Sequence, residues 1–171
     1  MDTHDDLITL RAASPMDLDT LERFQQGVID AERQFDPMLR DADVQYYDIA
    51  QMLANPELHL LVAAHGERPI ACAFARIEFA KPWLKHAREA YLGMMFVEPD
   101  WRGRDVNARL IAALKEWCRM RGVTELRLDV YADNEPAVSA YRKAGFVPSM
   151  VEMRATLVDA QTRRGGDCWS G

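Results

Sequence analysis

Cysteine is scarce in this chain. Cys72, Cys118 and Cys168 lie far apart in 171 residues, with no C-x-x-C pair. That argues against a disulfide framework and a structural zinc site, and a reducing cytoplasm is the expected location. The four histidines also lack metal-ligand spacing, so no metal is expected. Long apolar runs are missing as well. Arg, Glu or His interrupts each one well short of a membrane span, and the acidic start Met1–Asp6 has neither region of a signal peptide. No membrane partner is expected. Lysine is absent from the first fifty residues, which hold twelve Asp/Glu against four Arg, a balance of 4 − 12 = −8. Residues 101–130 hold seven Arg/Lys against four Asp/Glu, a balance of +3. The chain as a whole carries −6, which argues against nonspecific nucleic-acid binding. One end suits an anionic cofactor and the other a cationic acceptor, although both charge sets also serve as a solvated surface.

What is present reads as one domain over residues 1–158, with a polar, flexible tail at 159–171. Leu7–Arg11 reads as a strand. Ser14 and Pro15 then open a helix running to about residue 33, with Leu18, Leu21, Phe24 and Val28 at helical spacing. Phe35-Asp36-Pro37 breaks it. Tyr46, Tyr47, Ile49, Met52 and Leu53 mark a second helix ending near Asn55-Pro56. Two strands, His59–Ala64 and Pro69–Phe79, flank the turn at residues 65–68. Glu89–Val97 is nearly continuous in apolar residues, as for a strand covered on both faces. Val106, Leu110, Leu114, Trp117 and Cys118 give a strongly amphipathic helix that Gly122 stops. Leu126, Leu128 and Val130 alternate as a strand. Asp133-Asn134 then cap a further helix, and Val147–Leu157 reads as one or two closing strands. The order predicts an α/β (α+β) fold, with a mixed, mostly antiparallel central sheet of six to seven strands flanked by helices on both faces.

The chemistry concentrates between Tyr91 and Phe146. Val97-Glu98-Pro99 and the turn Arg102-Gly103-Arg104-Asp105-Val106-Asn107 place a helix N-terminus directly after a strand. Unpaired N–H groups there suit a phosphate. Asn134, Ala137, Tyr141, Gly145 and Phe146 follow at fixed spacing. The turn resembles the R/Q-x-x-G-x-G/A pyrophosphate loop of the GNAT superfamily of acyl-CoA N-acyltransferases. The later block resembles that family's N-x-x-A-x-x-x-Y-x-x-x-G-F. The likeness covers residues 60–157 by motif and residues 7–55 by element order.

The resemblance implies acetyl-CoA as cosubstrate, held by Met95, Phe96, Val97, Arg102, Gly103, Arg104, Asp105, Val106, Asn107, Asn134, Ala137 and Tyr141. It also implies that the backbone near Met95 polarises the thioester carbonyl and that Tyr141 protonates the departing thiolate. The sequence departs from the pattern at two places. Asp105 stands at the first family glycine and Asn107 at the second small position. The carboxylate that many relatives carry on the cofactor strand is also missing, with Gly93 and Met94 in the comparable places. Glu32, Glu78 and Glu89 are candidate replacements for the base, each more readily read as a solvated surface acid. Glu32, Asp36 and Tyr131 are candidates for acceptor binding.

The expected activity is acetyl transfer to a primary amine by direct attack. The acceptor is a small molecule or a peptide, and the acidic N-terminal half favours a cation. The protein is expected to be a monomer or a homodimer. Asp105 and the missing carboxylate raise one alternative, a noncatalytic module of the same fold that binds an acyl-CoA or a partner protein.

Overall fold

A computed structural model describes residues 8–42 and 44–157. The proposed tail at 159–171, Leu7, Asp43 and Cys168 lie outside the described residues. β1 (Ile8–Ala12) leads through a 3-10 turn at Pro15–Asp17 into α1 (Leu18–Glu32) and α2 (Ile49–Ala54). β2 (Leu58–His65), β3 (Arg68–Phe79) and β4 (Arg88–Val97) follow, then α3 (Val106–Met120), β5 (Leu126–Arg127) and α4 (Glu135–Lys143). The strands form one sheet in the order β1-β2-β3-β4-β5, antiparallel except for the parallel β4–β5 pair.

The sheet is thus mixed and mostly antiparallel, with five strands among the described residues rather than six to seven. The two expected closing strands account for the difference. Residues 147–157 adopt no helix or strand and stay exposed, although their sequence alternates. A strand forms only where an edge accepts its hydrogen bonds, so alternation alone did not suffice.

Each face of the sheet carries a core. On one face α3 lays Val106, Leu110, Leu114 and Cys118 against Ile70, Ala73, Ala90 and Leu92. On the other, Leu21, Phe24, Ile49 and Met52 from α1 and α2 meet Leu60, Val62, Phe74 and Met94. Each fully buried Leu, Ile or Phe contributes about 1.5–3 kcal/mol. The start of α1 is fixed by Asp17, which accepts two bonds at 2.8 Å from the Arg11 guanidinium and one from the Ser14 amide. The guanidinium bonds, chiefly, hold that carboxyl well down, at about 2.

One irregularity positions the site. Cys72 pairs with Phe96 and Phe74 with Gly93, so Met94 and Met95 together oppose Ala73. This is a β-bulge, and Met94 takes a positive φ of 47° within it. The extra residue shifts the alternation by one. Ala90 and Leu92 face the α3 core before the bulge, whereas Met95 and Val97 face it after, and Met94 and Phe96 turn to the α1 side. Gly27 of α1 makes room for the turned ring, since a Cβ there would stand 2.4 Å from Phe96.

Candidate active site

β4 and β5 share only two residue pairs, Ala90 with Leu126 and Tyr91 with Arg127. Beyond Tyr91 the outer edge of β4 has no strand partner among the described residues. An edge of free N–H and C=O groups accepts an extended, amide-bearing chain as an added strand. The bulge lies on this free stretch, so the backbone at Met94 and Met95 is turned out of the regular ladder. Where β4 and β5 do pair, ion pairs hold them together. Arg127 binds Glu89 at 2.8 Å and also binds Glu78, and His86 meets Glu89 at 3.0 Å. Glu78 and Glu89, the candidate bases, are therefore clamps that hold β5 to β4. The His86 contact and Arg127 keep the Glu89 carboxyl below its usual range, which makes it a poor proton acceptor.

The far end of β4 runs into the predicted phosphate loop. Pro99–Trp101 form a 3-10 turn, and α3 starts after Asp105, whose φ of 56° and ψ of 13° are left-handed. The position thus keeps the conformation that suits glycine, and Asp adopts it because its short side chain tolerates that region. The exposed Asp105 side chain makes no capping bond to the helix. Gly103 is also left-handed, at φ 74°. The Arg109 amide bonds the Asp105 carbonyl at 3.0 Å, which begins the helical ladder and leaves the preceding amides facing the loop.

The three arginines near the loop divide their work. Arg102 bonds the Val97 carbonyl at 3.1 Å, and Arg104 stacks 5.1 Å above Trp101. The Arg109 guanidinium instead donates to the Ile8 carbonyl at 2.8 Å, so it ties α3 to β1. Asn107 keeps a buried amide oxygen without a hydrogen-bond partner. A cluster of N-terminal amides beside two exposed arginines fits the phosphate end of coenzyme A, whereas the Asn107 amide oxygen is an acceptor and needs a donor.

α4 is tied at its C-terminal end to α3, where Lys115 donates to the Ala144 carbonyl. Asn134 caps it by accepting from the Ala137 amide at 3.3 Å. Tyr141 packs edge-on against Phe146, with ring centroids 6.2 Å apart. Burial raises its phenol to about 12, with the nearby Glu32 and Tyr47 adding to the rise. The three predicted acceptor residues come together beside it. Tyr131 donates to Asp36 at 3.0 Å, and Arg154 also holds Asp36, at 2.8 Å. Glu32 accepts from the Tyr46 hydroxyl at 2.9 Å, and its carboxyl is raised by burial first.

Four residues here were not singled out from sequence as site residues: Tyr46, Tyr47, Tyr91 and Asp129. The expected second helix does not include the two tyrosines. It begins at Ile49, with Asp48 as its N-cap. The amides of Tyr46 and Tyr47 are instead taken by the buried Gln25 side chain, at 2.9 and 2.7 Å. This strap sets the Tyr47 hydroxyl 3.0 Å from where a Cβ on Gly93 would be. The Tyr91 hydroxyl interacts with both Tyr47 and the exposed Asp129. A file of polar groups thus leads from Gly93 to solvent. Helical spacing had masked it, and a Tyr-Tyr pair just ahead of an Asp N-cap was the available signal.

The sequence pattern of the acetyltransferase (GNAT) family matches residues 24–146. The chain belongs to the GNAT family. It is an acyl-CoA-dependent N-acetyltransferase with acetyl-CoA as its cosubstrate. The aminoglycoside N(6')-acetyltransferase type 1 of Stenotrophomonas maltophilia is 28% identical over 143 residues, covering 81% of this chain and 85% of that protein. The IAA acetyltransferase of Azospirillum brasilense is 25% identical over 142 residues, covering 81% and 84%. Among solved structures, aminoglycoside N-acetyltransferase AAC(6')-Iy in complex with CoA shares the fold at a TM-score of 0.66, with 20% identity over 87% of this chain and all of that one, 100%. No helix among the described residues is long and apolar enough to cross a membrane.

Within this GNAT chain Asp105 carries a specific expectation. Asp105→Gly relieves a left-handed non-glycine residue and removes a carboxylate from the phosphate loop. Coenzyme A should bind about three- to tenfold tighter. The gain should shrink with added salt, because the residue is exposed and its field is screened. Calorimetric titration at two ionic strengths measures both. Unchanged affinity would place the carboxylate outside the field of the phosphates.

Proposed function

We propose that this enzyme acetylates a primary amine on a small, cationic acceptor, with aminoglycosides as the first chemical class to examine. The observation that carries the reading is the acidic, tyrosine-lined corner where Glu32, Asp36, Tyr46 and Tyr131 gather beside Tyr141. Burial disfavours charge on Glu32, and an arriving cation offsets that penalty. Asp36 already holds a guanidinium, that of Arg154, which shows the chemistry this carboxylate accepts. The likeness to the Stenotrophomonas maltophilia enzyme supports the same acceptor class.

Acetyl-CoA supplies the activated acyl group. The free edge of β4 at Met95, Phe96 and Val97 suits its amide-bearing arm. Loop amides, with Arg102 and Arg104, suit its phosphates. The backbone at the Met94–Met95 bulge stands ready to stabilise negative charge on the reacting carbonyl oxygen. Tyr141 keeps its proton at neutral pH and offers it to the departing sulfur. The acceptor's own proton leaves by way of Tyr47, Tyr91 and Asp129, which take the place of the absent strand carboxylate.

The test is thiol release from acetyl-CoA against a panel of amines. The panel holds aminoglycosides, spermidine and lysine peptides beside neutral and anionic amines. Higher kcat/KM for the polycations, falling as ionic strength rises, is the expected result. Preference for an anionic amine would overturn the acceptor reading, and absence of turnover with every amine would overturn amine acetylation.

A further inference from the structure

Gln25 is fully buried on α1, among Leu21, Phe24 and Ile29. An amide in such a place is costly unless its polar groups are paired. Its carbonyl oxygen accepts two successive backbone amides, that of Tyr46 at 2.9 Å and that of Tyr47 at 2.7 Å. Its own amide group donates to the Glu22 carboxylate at 3.0 Å, and Gln45 donates to the same oxygen at 3.3 Å. Gln26 adds a bond to the Val44 carbonyl at 3.0 Å. Residues 44–47 adopt neither helix nor strand, so these side chains of α1 are what fixes the backbone there.

The arrangement works in one sense only. A carboxylate accepts and does not donate, and the two strap amides donate and do not accept. The Gln25 amide has one end of each kind. Its NH2 must therefore face Glu22 and its oxygen must face the strap. The strap in turn delivers two hydroxyls. Tyr46 reaches back to Glu32 at 2.9 Å, and Tyr47 stands before Gly93 with its ring edge-on to Phe74 at 5.1 Å. The two tyrosine rings lie nearly perpendicular, at 86°, with centroids 6.2 Å apart. A shift of this short backbone moves both hydroxyls together.

We propose that Gln25, oriented by Glu22, is a positioning residue for the acceptor side of the reaction. The role rests on the acceptor reading above. Through Tyr46 it sets the place where Glu32 meets the acceptor's cation, and through Tyr47 it sets the hydroxyl beside the reacting strand. Neither Gln25 nor Glu22 belongs to the phosphate loop or to the free edge of β4. The latch therefore governs the amine and leaves the binding of acetyl-CoA alone.

Amide hydrogen exchange tests the latch without turnover. Exchange at Tyr46 and Tyr47 should be slow in the wild type, although no helix or strand includes them. Gln25→Met keeps the length of the side chain, removes both polar ends and should speed exchange there by at least about tenfold. Glu22→Gln changes a partly exposed position, so it folds even where Gln25→Met does not, and it should speed exchange to a smaller degree. Unprotected amides in the wild type, or protection that survives both variants, would overturn the proposal. Steady-state kinetics tests the consequence. Gln25→Met should lower kcat/KM for the amine by about tenfold, with the affinity for coenzyme A unchanged. Gln25→Glu sets a second carboxylate beside Glu22 and should be impaired as well. The swapped pair Glu22→Gln with Gln25→Glu restores one amide and one carboxylate, and should recover most of that loss. A swapped pair that recovers nothing, or a parallel loss of coenzyme A affinity, would reduce Gln25 to packing. Unchanged turnover in Gln25→Met despite faster exchange would defeat the positioning role and leave the acceptor reading standing. Absence of turnover with every amine in the wild type would defeat both.

Discussion

Tyr141→Phe is expected to lower turnover by about 10²-fold while leaving KM for acetyl-CoA nearly unchanged. The phenol is held up to about 12, first by burial, so it is protonated at every working pH. It therefore has a proton to give as negative charge develops on the sulfur, and little interaction to offer before that moment. Phenylalanine keeps the ring and its edge-on contact with Phe146, so packing survives the change. A thiolate leaves readily without help, which sets the expectation at the low end of general-acid contributions. An oxygen-ester analogue of acetyl-CoA gives the sharper measurement. Its poorer leaving group needs the proton more, so the penalty for losing Tyr141 should grow. Equal turnover of wild type and variant with both donors would reduce the residue to packing.

Local chemistry made much of the fold legible from the sequence. Ser14-Pro15, Asn134-Pro136 and Gly122 punctuate helices because capping, a fixed φ and a left-handed stop depend on a few adjacent residues. The periodicity of Val106, Leu110 and Leu114 marked α3 because a buried helix face repeats every three or four residues. Glu32, Asp36 and Tyr131 could be named because acids and aromatics in helix breaks and at strand ends commonly line clefts.

What escaped depends on residues distant in sequence. The bulge at Met94 is invisible in an unbroken apolar run, because it exists only as a mismatch against Cys72 and Phe74 of β3. Glu78 and Glu89 looked free until β5 brought Arg127 between them. Tyr46 and Tyr47 read as helix by spacing, whereas Gln25, more than twenty residues away, takes their amides and holds them in a strap. Residues 147–157 show the converse. Their alternation is a strand signal, but alternation does not by itself form a ladder, and none of these residues pairs with a strand among the described residues.

The strap leads to the second large effect. Tyr47→Phe and Asp129→Asn are each expected to lower kcat/KM near neutral pH by about 10- to 10²-fold. An alkyl ammonium with pKa near 10 must lose a proton before its nitrogen can attack. No carboxylate projects from β4 at Gly93, and the Tyr47 hydroxyl occupies that place. The Tyr91 hydroxyl lies between Tyr47 and the Asp129 carboxylate, which accepts and does not donate. Burial holds both phenols above their usual value, so neither is itself a standing base. On the proposed mechanism they relay the acceptor's proton outward, with the exposed Asp129 at the solvent end. Interrupting the file once or twice should then cost about the same, and the double variant should be little worse than either single one. The loss should also shrink as pH rises toward the pKa of the acceptor, because the amine then arrives already deprotonated. The penalty of Tyr141→Phe should show no such decline, since proton delivery to sulfur is needed at any pH below the phenol's own. Rate profiles of the four proteins between neutral and alkaline pH separate the two roles. Penalties at Tyr47 and Asp129 that multiply in the double variant, or that persist unchanged at alkaline pH, would assign these residues to packing and acceptor binding rather than to proton removal.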